Sequence, residues 1–234
     1  MTWFAQDGFD LRFDWGTPGV ARLAPWCRTF VIVDILRFST AVETGLSHGL
    51  VVQPEHWPMP RTPIRDAYVA DGSAPGGPSL SPASLRGLPE GARVVLPSLN
   101  GANCALAAAD TGATVLAGSL RNATAVAKYV AECPYPIGII AAGDLASDGT
   151  MRPAVEDMLG AAAILRHLPG TRSPEAAIAE ATFTADLVGI VRESASARQL
   201  ASVGHEDDAE WAAQLDVSTV VPLLTGEIFT IASR

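Results

Sequence analysis

With 234 residues, 48% of them hydrophobic and only 18% charged, the chain has the composition of a compact globular protein with a large core. A formal net charge of −9 argues against nucleic acid or an anionic membrane surface as partner, since both select clustered Lys and Arg. No apolar run approaches the roughly 20 residues that span a bilayer, and the opening MTWFAQDGFDLRFDWG lacks the basic and apolar regions of a signal peptide.

The cysteines Cys27, Cys104 and Cys133 are odd in number and form no CxxC, so they read as reduced thiols of a cytoplasmic protein. His48, His56, His167 and His205 are scattered, without the spacing of zinc ligands.

In chain order, TFVIVDI (29–35) is a continuous β-branched run and predicts a strand covered on both faces. A helix follows, with Ser39 placed to cap it and Gly49 to end it. LVVQP (50–54) predicts a second strand, stopped by Pro54. The Gly/Pro/Ser-rich stretch 71–91 predicts a long loop over the sheet. RVVLP (93–97), ATVLAG (113–118) and IGIIAAG (137–143) predict three more strands. Helices are expected over NGANCALAAAD, NATAVAKYVAEC and PAVEDMLGAAAILRHL, the last with Pro153 in its first turn.

From residue 174 the pattern is helical, and TVVPLLTGEIFTI (219–231) returns to the sheet as one or two strands. This alternation, with right-handed crossovers, predicts an α/β fold: a largely parallel sheet flanked by helices. Residues 1–234 read as a single domain, with two intimate lobes around the site as the alternative.

In open α/β sheets, ligands sit outside the carboxyl ends of the strands. Four strand exits here carry polar residues: Asp34, Arg37, Ser39 and Thr40; Ser98, Asn100 and Gly101; Ser119, Arg121 and Asn122; and Asp144, followed by Glu156 and Asp157. They are expected to converge on one rim. Each also has a plainer reading. Asn100-Gly101 can be a helix entry, and Ser39 and Asn122 can be N-caps. Glu156-Asp157 suits a helix dipole, and Asp34-Arg37 can be an internal ion pair. Their convergence favours a site.

Carboxylates from several loops offer hard oxygen ligands to Mg2+, and arginine offers a bidentate fork to phosphate. Helix starts after Asn100 and Asn122 would present N–H groups to the same anion. Phosphoryl transfer needs little beyond such positioning and charge neutralisation. No GxxxxGK[ST] loop is present, and Leu36 stands where aspartyl-phosphate-forming phosphatases have a second aspartate.

In order and spacing, VIVDILRFSTAVETGLSHG, LPSLNGANCALAA, LAGSLRNATAVAKYV, IIAAGD…GTMRPAVEDMLGAAAIL and VVPLLTGEIF resemble the 2-phosphosulfolactate phosphatase family, from about residue 10 to about residue 230. The resemblance implies a three-layer α/β/α arrangement peculiar to that family, with the site in a cleft. It also implies a Mg2+-dependent phosphatase that converts 2-phosphosulfolactate, a small anionic phosphoester, to sulfolactate in coenzyme M synthesis.

By motif match it carries over Asp34, Arg37, Asn100, Gly101, Asn122 and the Glu156-Asp157 pair. Asp34, Arg37, Asn100 and Glu156 are then expected to be catalytic, and Ser39, Thr40, Gly101 and Asn122 to touch substrate. Asp34, Glu156, Asp157 and Asp144 are the expected Mg2+ ligands. The attacking group is a water activated at the metal or, alternatively, Asp34 itself.

One stretch departs from the family. Where relatives carry Gly-Glu-Arg ahead of Asn-Ser-Pro, this chain has DGSAPGGPSLSPASL, keeping Ser81-Pro82 but not the glutamate, arginine or asparagine. Two expectations stay open: a phosphatase for 2-phosphosulfolactate or a related phosphoester, or a non-catalytic relative that binds a small anionic metabolite. A homo-oligomer is also left open.

Overall fold

A computed structural model describes residues 3–58, 66–74, 76–146 and 148–233. After a short 3-10 turn (Trp3–Ala5) come β1 (Leu11–Trp15) and α1 (Gly16–Leu23). β2 (Thr29–Val33) leads into α2 (Phe38–Ser47), then β3 (Val51–Glu55), β4 (Tyr68–Val69) and α3 (Pro82–Leu85). β5 (Arg93–Pro97) precedes α4 (Gly101–Ala109), β6 (Thr114–Gly118) precedes α5 (Ala123–Val130), and β7 (Ile137–Ala141) follows. The small pair β8 (Asp144–Leu145) and β9 (Met151–Arg152) leads to α6 (Val155–Leu165). Helices α7 (Pro174–Ala181), α8 (Leu187–Glu193), α9 (Ala195–Ser202) and α10 (Glu206–Ala212) come next, before β10 (Pro222–Thr225) and β11 (Ile228–Ile231). No helix among the described residues is long and apolar enough to cross a membrane.

The fold is α/β, with helices against both faces of a nine-stranded sheet ordered β1-β7-β2-β6-β10-β11-β3-β5-β4. β2 shows why the layers form. All five of its residues are buried; Phe30 and Ile32 face one apolar cluster, Val31 and Val33 the other. Each such side chain contributes roughly 1.5–3 kcal/mol on burial, so the strand forms even though it exits onto a carboxylate.

The sheet contains two parallel blocks, β1-β7-β2-β6 and β3-β5-β4. The hairpin β10–β11 joins them through three successive antiparallel junctions. The second block therefore runs opposite to the first along the sheet. This corrects the expectation of one shared carboxyl rim, because the β5 exit does not lie beside those of β2, β6 and β7 in pairing order. α2 and α4 pack on strands of both blocks. Phe30 and Ile32 of β2, Val94 and Leu96 of β5, and Phe38 and Ala105 of the two helices share one cluster. Enclosing that cluster brings the β5 exit round to the β2 exit.

β1 was not expected from the sequence: LRFDW alternates apolar with charged residues instead of running apolar. It sits at the sheet edge paired to β7. Arg12 is accommodated because its guanidinium donates to the Phe9 and Ala5 carbonyls, at 3.1 and 2.6 Å.

Arg121, expected on the rim, points elsewhere. Its Nε lies 2.7 Å from Glu43 Oε2 in a buried ion pair, and its guanidinium stacks 4.0 Å from the Trp211 ring centroid. Arg121→Ala would strand the Glu43 carboxylate in the core, at a cost of roughly 3–5 kcal/mol. We expect the melting temperature to fall by on the order of 10 °C; an unchanged melt would show that the pair holds nothing together.

Candidate active site

Asp34 follows β2 directly and bridges two helix starts. Its Oδ1 accepts the Phe38 N–H at 3.2 Å and its Oδ2 the Gly101 N–H at 2.9 Å. Its own N–H donates to Ser39 Oγ at 3.0 Å, and the Ser39 N–H donates back to the Asp34 carbonyl at 2.7 Å. Gly101 is where it is for lack of room: a Cβ there would lie 2.5 Å from Phe38 Cδ1 and 2.7 Å from Asp34 Oδ2. Asn100, just before it, accepts the Leu145 N–H on Oδ1 at 3.1 Å.

α6 supplies the facing acids. Asp157 is held like Asp34, accepting the Ile35 N–H at 2.9 Å and the Gly143 N–H at 3.0 Å. Glu156 is only 1% exposed, and its Oε2 is the one buried side-chain polar atom among the described residues without a hydrogen-bond partner. Buried polar atoms are nearly always paired, so this oxygen is poised for something the chain does not itself supply.

Arg37 does not pair with Asp34. Its Nη1 donates to Asp208 Oδ2 of α10 at 2.8 Å, and Asp208 Oδ1 accepts the Ser81 hydroxyl at 2.6 Å. Asp144 is partly exposed and takes Arg152 at 3.1 Å.

Asp34, Arg37, Asn100, Asp144, Glu156 and Asp157 line one cleft of about 420 Å³. Ser196, Gln199 and Leu200 of α9, with Leu80, Leu36 and Val203, form its other walls.

None of the four expected substrate contacts lines this cleft. Ser39 and Thr40 are fully buried, with their hydroxyls donating to the Ile32 and Ile35 carbonyls at 3.0 and 2.8 Å. Asn122 is also fully buried; its Oδ1 accepts the Ser119 N–H at 2.8 Å and its Nδ2 donates to the Val220 carbonyl at 2.9 Å. The start of α5 is not open to an outside anion either, since the Thr124 N–H donates to Asp216 Oδ1 at 2.7 Å. Gly101 contributes its N–H to Asp34, not to the cleft.

Burial pushes the Asp34 carboxyl up to about 6; the Phe38 and Gly101 amides oppose this, the Glu156 charge adds to it, and Arg37 works against it. Burial raises Asp157 well above the usual carboxylate range, reinforced by the charges of Asp34 and Glu156 and opposed by the Ile35 and Gly143 amides. Ionising these carboxyls is therefore unfavourable, because burial and their mutual repulsion both oppose it. No group of three or more His, Cys, Asp or Glu among the described residues forms a ready-made metal cage. Mg2+ does not need one, because it keeps several waters and binds through one or two carboxylates plus substrate phosphate. The unpaired Glu156 oxygen and the nearby Asp34 charge fit that pattern.

Sequence reasoning missed Asp208 and gave Ser81 no role. Asp208 stands behind Glu206 and Asp207, which are exposed, while it is 2% exposed. Its signal was helical phase: Asp208 lies four residues before the buried Ala212.

Comparison with known families matches residues 78–227 to the family described as 2-phosphosulpholactate phosphatase. Among curated proteins, a probable 2-phosphosulfolactate phosphatase of Thermotoga maritima is 26% identical over 218 residues, covering 88% of this chain and 92% of its own. A protein of the same description from Deinococcus radiodurans is 29% identical over 217 residues, covering 83% and 86%. A third, from Carboxydothermus hydrogenoformans, is 26% identical over 231 residues, covering 88% and 92%.

Proposed function

The chain belongs to the 2-phosphosulpholactate phosphatase family, and from that membership and the acidic cleft we propose that it is a Mg2+-dependent phosphatase. Its substrate in this reading is a small phosphorylated acid, 2-phosphosulfolactate or a related phosphoester, split to the hydroxy acid and phosphate. The observation that carries it is the orphaned Glu156 Oε2 in a cleft shared with Asp34 and Asp157. Among the described residues, four carboxylates and one arginine line this cleft, so a phosphate dianion is repelled unless a cation stands between.

Glu156 and Asp34 would hold Mg2+, with Asp157 and Asp144 close by. Bound there, the ion would neutralise phosphoryl charge and acidify a water for attack. Arg37, with one N–H taken by Asp208, would direct its remaining donors to the phosphate. Asn100, fixed through Oδ1, would offer its NH2 to a substrate oxygen. Leu36, Leu80 and Leu200 would keep bulk water out and strengthen these interactions. Both Asp34 oxygens are tied to backbone amides, which favours a fixed charge over an attacking group.

The 71–91 loop favours a second reading. Among its described residues only Leu80 reaches the cleft, so it brings no cation to the anion. A family member that binds a small anionic metabolite without turning it over would look the same there.

Phosphate release from a panel of small phosphoesters tests both. Activity should vanish in chelator and return with Mg2+, with zinc a poor substitute for want of His or Cys ligands; full turnover in chelator, or binding without turnover, overturns the phosphatase reading. Stability gives an independent check. A carboxyl whose folded pKa is raised adds stability that is present below its unfolded value of 3.8 and lost as pH rises through about 6 for Asp34. The metal-free protein should therefore melt lower at pH 8 than at pH 5, and Mg2+ should raise the melting temperature chiefly at pH 8, where the ligands are ionised.

A further inference from the structure

We propose that Asp208 is a positioning residue for the cleft arginine: anchored by Ser81, it pins one edge of the Arg37 guanidinium so that the other donors face the bound phosphate. This rests on the reading of Arg37 as the group that grips the anion.

Asp208 sits in the first turn of α10, where acids normally lie in solvent, yet it is 2% exposed. A buried carboxylate is costly unless paired. Each of its oxygens has one partner, Ser81 Oγ at 2.6 Å and Arg37 Nη1 at 2.8 Å. His205 is farther, at 3.9 Å.

The support is firm. Trp211, three residues on, donates from Nε1 to Thr44 Oγ1 at 3.0 Å and takes Arg121 and Arg86 against its ring at 4.0 and 4.4 Å. Arginine loses less entropy on gripping phosphate when one edge of its planar fork is already fixed. Ser81 lies in the loop that lacks the charged residues expected from the family. The loop therefore contributes to anion binding indirectly, through a hydroxyl that holds a carboxylate that holds the arginine.

Calorimetry of inorganic phosphate binding to the Mg2+-loaded full chain tests this on wild type, Ser81→Ala, Asp208→Asn, Arg37→Gln and the Arg37→Gln/Asp208→Asn double variant. Arg37→Gln and Asp208→Asn should each weaken phosphate binding roughly tenfold, the size of one charged hydrogen bond. Ser81→Ala should weaken it roughly threefold, because the loss reaches phosphate only through Asp208 and Arg37, and should lower the melting temperature by a few degrees, since one oxygen of a buried carboxylate loses its donor. The double variant should bind no more weakly than Arg37→Gln alone, because Asp208 acts only through Arg37.

Wild-type affinity in Asp208→Asn, or effects that multiply in the double variant, would overturn the positioning role and leave the reading of Arg37 standing. If Asp208→Asn does not fold, Ser81→Ala decides, and wild-type affinity there overturns the proposal. If Arg37→Gln binds phosphate as wild type does, or wild type binds none, the proposed function falls and this inference with it.

Discussion

Asp34→Asn is expected to lower kcat/KM for phosphoester hydrolysis by at least about a thousandfold while moving the melting temperature only a few degrees. Two opposed effects leave the fold nearly untouched. Asparagine has one carbonyl oxygen, so either the Phe38 or the Gly101 N–H loses its acceptor, which costs about 1–3 kcal/mol. Against that, an ionised Asp34 destabilises the folded state at neutral pH, since its carboxyl titrates near 6 instead of 3.8; a shift of that size is worth on the order of 3 kcal/mol. Removing the charge lifts that burden. Activity has no such compensation, because Asp157, the other buried aspartate of the cleft, is held in place through both oxygens by the Ile35 and Gly143 amides and cannot take the position of Asp34. Steady-state kinetics and melting curves at pH 7.5 read both quantities. Near-normal turnover would remove Asp34 from the site; a large drop in melting temperature with normal specific activity of the folded fraction would make it scaffold.

Gly101→Ala should cost about 1–3 kcal/mol of stability and roughly a hundredfold in turnover, the order expected when catalytic groups shift by about an ångström. The added methyl has nowhere to go. Phe38 is fully buried and edge-on to Phe229 at 6.1 Å, so it cannot swing aside, and Asp34 Oδ2 closes the remaining space. Either the Asp34–Gly101 bond breaks or the start of α4 moves away from β2. Gly87→Ala is the control, since a methyl there meets nothing closer than 3.9 Å. Equal kinetics and melting temperatures for the two variants would show that the Asp34–Gly101 contact does not set the site.

What the sequence made legible follows from how locally each feature is encoded. β2, β5, β6 and β7 are short apolar runs bounded by turn residues, so they could be read directly. β1 could not, because Arg12 and Asp14 interrupt its apolar positions and the carbonyls that satisfy Arg12 lie outside the strand. The reversal between the two parallel blocks depends on where a distant hairpin inserts, and no local pattern records that. In the cleft, Asp34, Asn100, Asp144, Glu156 and Asp157 were legible as polar residues just past strands. Ser39, Thr40 and Asn122 carry the same signature but are occupied in satisfying backbone groups. Polar type and position alone do not separate those two uses. Asp208 was hidden in an acidic run whose first two members are the solvated residues such runs normally contain.

The placement of β10 and β11 bears on when this molecule can become itself. They follow every other strand of the sheet in chain order, yet they occupy its middle, between β6 and β3. A nascent chain that has reached α10 holds two half-sheets, each ending in a bare edge of unpaired N–H and C=O groups, the kind that recruits strands from other chains. Asp34 lies at the exit of one half-sheet and Gly101 just past the other. Synthesis of some ten residues, 222–231, therefore closes the sheet and clasps the two halves of the cleft together in one late event.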